Sequence, residues 1–501
     1  FAEDTGIFQK RQFQDYLEQH TTEDGADLAH HLATLFYVLN TPEHQRLKNL
    51  DEDLAAFPYV NGKLFAETLP PAGFDAAMRS ALLSACMLDW SRISPAIFGS
   101  LFQSIMDATA RRNLGAHYTS EENILKLIKP LFLDALWAEF EKIQRHPAKL
   151  IEFHERLAQL RFLDPACGCG NFLVITYREL RKLEIDTLTR LNVDQFYGIE
   201  IEEFPAQIAQ VALWLTDHQM NLQTSEVFGA YFARIPLRHA PTIVHGNALR
   251  IDWHDVCPNA DYIIGNPPFV GAKFMSAEQR ADANAVFGNI KNAGLLDFVT
   301  AWHVKATRYM QQHPQTETAL VSTNSTTQGE QVGALWGWML AQGVKINFAH
   351  RTFSWTNEAR GKAAVHVVII GFALHDINSK IIYEYEDIKG EPHAVEAKRI
   401  NPYLVDATEI FIENRRQPIS TIPEIVFGSM ANDGGFLILQ DDEKENLIKS
   451  QPLAAKWIRP FLGAEEFINN KSRWCLWLAD INPSELRTIP EVYERVLSVK
   501  K

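Results

Sequence analysis

Four short segments of this sequence place acidic, amide and glycine residues where chemistry at an amine needs them. The first runs Phe162-Leu163-Asp164-Pro165-Ala166-Cys167-Gly168-Cys169-Gly170-Asn171. A short apolar strand ends at Asp164, a loop of small residues follows, and a helix begins after it. Gly168 and Gly170 permit a tight turn and a close approach of backbone to a ligand. The spacing is GxG, not GxGxxG, and an acidic residue precedes it. Asp164 therefore suits a cationic amino group rather than a pyrophosphate. The second segment ends a strand at Gly198-Ile199-Glu200, where a carboxylate is placed to accept both hydroxyls of a ribose. Glu202 and Glu203 follow, so a solvated acidic turn is the competing reading. The third ends at His245-Gly246-Asn247, whose amide could read the edge of an adenine or simply close a turn.

The fourth segment is Gly265-Asn266-Pro267-Pro268-Phe269. Two consecutive prolines restrict the backbone and keep the Asn266 side chain aimed in one direction. The Asn266 amide oxygen and the Pro267 carbonyl both accept hydrogen bonds from an exocyclic amine. That leaves the nitrogen lone pair free to meet an electrophilic methyl. Phe269 offers a face for stacking on a planar target.

These segments need a scaffold that brings four strand ends together. Candidate strands are Phe162–Leu163, Gln195–Ile199, Thr242–His245, Tyr262–Ile264, Ala319–Thr323, Lys345–His350 and Val365–Phe372. Helices over Pro130–Glu141, Asn171–Leu183 and Phe204–Asp217 alternate with them, the pattern of an open, mostly parallel α/β sheet. Residues 1–110 read as helical, with apolar stripes over Asp27–Leu39, Asp75–Leu88 and Ser94–Ala110, and Asn61–Gly62 marks a tight turn. After about residue 375 the periodicity weakens and prolines punctuate an irregular or β-rich region. The expected parts are a helical spacer at 1–110, a catalytic domain at 111–400 and a third domain beginning at 401.

The order of these segments resembles the class I S-adenosylmethionine-dependent methyltransferases that act on amines. Upstream, Gly115-Ala116-His117-Tyr118-Thr119-Ser120 resembles the cofactor-closing segment of DNA adenine methyltransferases. Only 18 residues separate Asn247 from Asn266, so a recognition domain has to follow the sheet, as in the γ-type arrangement. Phe1–Phe8, Asp89-Trp90-Ser91, Pro95–Gly99, Arg351–Phe372 and Trp457–Gly463 extend the resemblance to the MmeI-like (type IIL) restriction-modification proteins. That resemblance implies a seven-stranded methyltransferase sheet, a helical spacer before it and the start of a target-recognition domain after it. It implies S-adenosylmethionine as cofactor, held by Tyr118, Thr119, Asp164, Ala166, Cys167 and Gly168, with Gly170, Glu200, Ile201, Asn247 and Asn266. It implies methyl transfer to adenine N6 in double-stranded DNA by Asn266, Pro267, Pro268 and Phe269. The flipped base would stack on Phe269 and on Phe353, with Trp355 as the rival wall. Cytosine N4, an RNA or protein amine, or a cofactor-sensing DNA-binding module are the alternatives. Cys169 stands where such loops commonly carry Ser.

Composition bounds this reading. The chain has 501 residues, roughly three domains of about 150 residues each. It holds 62 acidic and 48 basic residues, a net charge of −14, which argues against a generic polycation. A local basic cleft remains compatible with that sum. Arg111–Arg112, Lys398–Arg399 and Arg415–Arg416 are the basic pairs on hand. Five cysteines build no disulfide framework, and Cys167-Gly168-Cys169 without nearby histidines is a poor metal or redox site, so no metal is expected. No apolar run reaches the length of a membrane helix, and a bacterial-type cytoplasmic protein is expected. Phe1 at the start reads as the beginning of a piece of a longer polypeptide, whose nuclease would be fused or a partner.

Overall fold

A computed structural model describes residues 2–60, 65, 72–91, 93–97, 119–184, 191–229, 240–355, 365–411, 420–422 and 431–499. Tyr118, the turn at Asn61–Gly62, most of Ser94–Ala110 and the pairs Arg111–Arg112 and Arg415–Arg416 lie outside these residues. Two compact units form, Phe1–Asn414 and Arg415–Lys501.

The first unit is built on a sheet with strand order β3-β2-β1-β4-β5-β7-β6-β8-β9. The strands are β1 Phe162–Asp164, β2 Phe196–Glu200, β3 Thr242–His245, β4 Tyr262–Gly265, β5 Glu317–Thr323, β6 Lys345–Trp355, β7 Val365–Ala373, β8 Lys380–Glu384 and β9 His393–Ala397. β1 to β5 pair in parallel, and β7 inserts antiparallel between β5 and β6. The sheet has nine strands, two more than the seven expected, because β8 and β9 extend it beyond β6. Residues 380–397 therefore belong to the sheet of the first unit.

The central strands are largely apolar because both faces are covered. Side chains alternate between two cores with period two. Phe162, Ile264, Ala319, Val321, Val367 and Ile369 enter one core, and Leu163, Ile263, Leu320, Val368 and Ile370 enter the other. The helices Asn171–Lys182 and Glu203–Phe228 cover the first face, and Ala277–Phe287, Thr300–Gln312 and Glu330–Ala341 contribute to the second. The segment expected to be helical at Pro130–Glu141 opens as a π-turn at Lys129–Leu133 and continues as the helix Asp134–Ile143.

The long helix Glu203–Phe228 also carries the N-terminal region. His218 Nε2 lies 2.9 Å from the Thr5 carbonyl, and Gln219 Nε2 donates to the carbonyls of Ser91 and Ile93. The helices Gln12–His20, Leu28–Asn40 and Ala76–Cys86 form that region around Tyr16, Leu17, Leu35, Val38 and Phe57. Asp75 caps the last of them by accepting from Met78 N at 2.8 Å.

The second unit holds a three-stranded antiparallel sheet, β10 Ile438–Leu439, β12 Trp474–Leu476 and β11 Ile458–Pro460. Leu439, Leu447, Trp457, Leu476, Ile489 and Val492 pack as its core.

Beneath the cofactor-side helices lies one buried charge cluster. The Arg181 side chain is fully buried and donates to Asp217 Oδ1 at 2.9 Å and to Asn221 Oδ1 at 2.9 Å. Tyr177 donates to the same carboxylate. Arg181→Ala leaves Asp217 buried without its cation, which is expected to cost about 3–5 kcal/mol. Chemical denaturation of the variant measures this, and a loss under about 1 kcal/mol would show that the cluster tolerates the change.

Candidate active site

The strand order reverses between β1 and β4, and ligands of open α/β sheets bind at the carboxyl ends of strands at such a switch point. Asp164 ends β1 there, and Gly265 with Asn266 ends β4. The two strand ends are in close contact. A Cβ on Gly265 would stand 2.6 Å from Asp164 Oδ1, so only glycine lets the carboxyl lie there.

Asp164 is completely buried. Its Oδ1 accepts from Ala166 N at 3.0 Å, and its Oδ2 has no donor. Burial pushes its pKa up to about 8, with the neighbouring Glu200 charge adding to the rise. Glu200 turns into the glycine loop. Its Oε2 accepts from Gly168 N at 2.9 Å and its Oε1 from Glu202 N at 3.0 Å. Burial raises the Glu200 pKa as well. Glu202 contributes its backbone to this arrangement while its side chain stays exposed.

The loop between these carboxylates is folded by its glycines. Gly168 and Gly170 have φ of +54° and +83°, a left-handed conformation costly for other residues. Gly170 also abuts the helix Glu203–Phe228, where a Cβ would meet the Ala209 Cβ at 2.9 Å. Cys167 N donates to the Ile199 carbonyl at 3.1 Å, and Trp302 Nε1 donates to the Pro165 carbonyl at 3.0 Å. Sequence reasoning missed Trp302, which lies 137 residues from Pro165 with no local signal.

Asn266 Nδ2 donates to the Thr119 hydroxyl at 3.1 Å, and Asn266 Oδ1 is buried with no donor. The Thr119 carbonyl accepts from Asn171 Nδ2 at 3.4 Å, and Asn171 Oδ1 is likewise buried and unpaired. Thr119 thus joins the start of the Asn171–Lys182 helix to the end of β4. Pro267 is buried, and Pro268 and Phe269 are half-buried, Phe269 packing on the cofactor-side core.

Three expected residues sit differently. Asn247 spends its amide within the protein: Oδ1 accepts from Leu249 N at 2.9 Å and Nδ2 donates to Asp282 Oδ2 at 2.8 Å. These bonds hold the turn after β3. Phe353 is buried at 2% exposure and stacks on Tyr385 with ring centroids 5.0 Å apart, so it is a core aromatic and not an open wall. Its rival Trp355 is equally buried. Ile201, by contrast, is half exposed beside Glu200.

Asp164 Oδ2, Asn171 Oδ1 and Asn266 Oδ1 are thus buried acceptors at one mouth, linked through Thr119 and the β1–β4 contact. Buried acceptors without donors are costly, and a cationic, donor-rich ligand satisfies them. S-adenosylmethionine carries an ammonium, ribose hydroxyls and a sulfonium charge, and the acidic mouth fits it. The fold and this site define a class I methyltransferase, a class that depends on S-adenosylmethionine.

Comparison with known proteins narrows the class. Family models match the MmeI helicase spacer domain at residues 1–65, the MmeI DNA-methyltransferase domain at 140–384 and the MmeI target recognition domain at 406–501. The solved type IIL restriction-modification enzyme MmeI, in complex with DNA, superposes with a TM-score of 0.90 at 61% identity. That alignment covers 100% of this chain and 69% of MmeI. DNA methyltransferase A of Bacillus subtilis (strain 168) is 39% identical over 99% of this chain and 58% of its own length. A putative type II restriction enzyme and methyltransferase of Methanocaldococcus jannaschii is 26% identical over 43% of this chain and 23% of its own length. The chain belongs to the MmeI-like, type IIL restriction-modification family, and it spans little more than half of the Bacillus relative. Among the described residues no helix is long and apolar enough to cross a membrane.

The two loop cysteines are inert by environment. Burial drives the Cys167 thiol well above its ordinary range and pushes Cys169 up to about 12. Cys257 is also buried, whereas Cys86 and Cys475 are half-exposed. Iodoacetamide at pH 8 is expected to label Cys86 and Cys475 in the native chain, and Cys167, Cys169 and Cys257 only after unfolding. Peptide mapping reads this out, and native labelling of the loop pair would restore the redox reading.

Proposed function

We propose that this chain transfers a methyl group from S-adenosylmethionine to the N6 amine of an adenine flipped out of double-stranded DNA. The observation that carries the proposal is the buried, donorless Asn266 Oδ1 at the end of β4, beside the acidic mouth. Family membership supplies DNA as the substrate class, and the spacer, catalytic and recognition parts at about 1–110, 111–400 and 401–501 follow the same reading. The names of the relatives couple methylation to restriction, and we extend that coupling to the parent polypeptide, with a fused or partner nuclease.

The bound cofactor supplies an electrophilic methyl. Asp164 takes its ammonium and Glu200 its ribose hydroxyls, with Ile201 giving apolar cover and Gly168 and Gly170 allowing close backbone approach. Ala166 and Cys167 shape the same loop, and Thr119 and Tyr118 belong to the segment that closes over it. Asn247 supports the site through the turn it holds. Asn266 Oδ1 accepts one hydrogen of the target amine and the Pro267 carbonyl the other, while Pro268 stiffens the segment. Phe269 stacks on the base and helps offset the few kcal/mol, roughly, that extrusion costs.

Asn266→Ala is expected to abolish transfer of labelled methyl to duplex DNA while cofactor affinity changes less than about threefold by calorimetry. Full retained activity would remove Asn266 from the mechanism, and product analysis separates N6-methyladenine from N4-methylcytosine.

The raised pKa of Asp164 gives a second test. Its carboxyl is protonated at pH 7 in the free chain, so folding weakens as pH rises from about 4 to about 8, where only the unfolded state has released the proton. A bound ammonium favours the carboxylate, so binding releases a proton and affinity rises with pH up to about 8. Calorimetry in buffers of different ionisation enthalpy measures the proton, and Asp164→Asn should remove most of it. No proton release in the parent chain would place the ammonium elsewhere.

A further inference from the structure

We infer that Phe274 is a wedge for base extrusion: its ring enters the duplex and fills the gap that the flipped adenine leaves. The inference rests on the proposed function above and deepens it, because a stack on Phe269 receives the extruded base but does nothing for the base step it has left. An extruded base deserts both of its stacking neighbours, and an apolar side chain between those neighbours restores part of the lost contact. Phe274 is the most exposed large apolar side chain among the described residues, at 84%. A lone exposed apolar residue is ordinary on a protein surface. The place and the anchoring of this one are not.

Phe274 lies five residues past Phe269, on the loop that carries the chain from the end of β4 to the helix Ala277–Phe287. That loop is fastened on both sides of the ring. Before it, the buried Asp297 accepts from Ala272 N at 2.8 Å through Oδ1 and from Ser325 Oγ at 2.8 Å through Oδ2. Phe298 N donates to the Val270 carbonyl at 2.9 Å, and Phe274 N closes a turn on the Gly271 carbonyl at 2.8 Å. Past the ring, Met275 packs on the second core, and Ser276 caps the helix by accepting from Gln279 N at 3.1 Å. Ser325 follows the end of β5, which pairs in parallel with β4 and so ends at the same edge of the sheet as Asn266. The loop is thus fixed at the edge where the proposed target base is taken. Phe274 points outward beside the inward Met275, and Lys273, exposed next to it, suits a DNA phosphate. A ring held on an anchored loop is able to press into a base stack, which one on a slack loop is not.

The test uses the full chain, saturating S-adenosylmethionine and a duplex built on the site that sequencing of DNA methylated by the parent chain reveals. Phe274→Ala removes an exposed ring, so the thermal midpoint should move by less than about 2 °C. Its single-turnover methylation rate should fall roughly ten- to a hundredfold, a share of the cost of extrusion. An abasic position opposite the target adenine makes extrusion cheap, so on that duplex the variant should come within about threefold of the parent. Phe274→Leu keeps an apolar wedge and should stay within about fivefold of the parent on the intact duplex. An unchanged rate in Phe274→Ala overturns the inference. So does an equal loss on both duplexes, or a Leu variant no faster than the Ala variant.

A second readout needs no catalysis. 4-Fluorophenylalanine in place of Phe274 alone reports on the ring through its fluorine resonance. Adding that duplex, or sheared genomic DNA where the parent chain methylates nothing, should shift the signal and remove its sensitivity to exchange of H2O for D2O. A signal that stays solvent-sensitive in the saturated complex overturns the inference. If the parent chain methylates no DNA yet the fluorine becomes protected, the proposed function fails and insertion into the duplex stands. If the parent methylates DNA and Phe274→Ala does so equally fast, the proposed function stands and the wedge fails.

Discussion

The burial of the Asp164 carboxyl group against the end of β4 is the constraint on which the catalytic unit turns. A carboxyl removed from water needs donors, and this one has a single backbone N–H. Its position is forced by pairing. β1 lies between β2 and β4, with Phe162 opposite both Phe196 and Tyr262. The start of that arrangement is fastened by Asp261, which accepts from Arg161 N at 2.8 Å. Gly265 then has to lack a side chain, and the next residue, Asn266, leaves the sheet at a point set by Asp164 itself. The acidic group and the amide group of the site are thus placed by one contact between strand ends.

The glycine loop couples that contact to the rest of the unit. Gly170 lies against Ala209, and nine residues further along the same helix His218 meets the N-terminal region. At 1.5 Å per residue that is about 14 Å of continuous helix. Buried Arg181 and Asp217 tie this helix to the one that follows the loop. The N-terminal helices are therefore docked on the rod that backs the cofactor loop, and Thr5, Ser91 and Ile93 give their carbonyls to it.

Much of this was legible in the sequence because the informative signals are local. Strands buried on both faces appear as short apolar runs, and the four chemical segments sit where each run stops. The added strands were not legible. Four of the five residues of β9 are exposed, so it carries no apolar signal. The burial of Phe353 was not legible for a definite reason. Ala349 faces one core, and strict alternation would send residue 353 to the same face. A register shift between His350 and Phe353 turns Phe353 into the opposite core instead. The partner of Asn247, Asp282, was not legible because it belongs to a helix 35 residues away, a pairing no spacing rule reveals.

On the proposed reading, the acceptors at the end of β4 also set which bases the site takes. Asn266 Oδ1 and the Pro267 carbonyl offer lone pairs only. An exocyclic amine satisfies them, whereas the carbonyl of thymine would set lone pair against lone pair and leave the buried acceptors unpaired. Sites that hydrogen-bond a substrate N–H reject analogues lacking it far more strongly than apolar pockets reject a missing methylene. Much of the discrimination is therefore made by the cost the free chain already carries, and only a donor in the right place relieves it. The net charge of −14 does not oppose this reading, since charge distributed over the surface sets encounter, while the proposed selection is made at a few buried oxygen atoms.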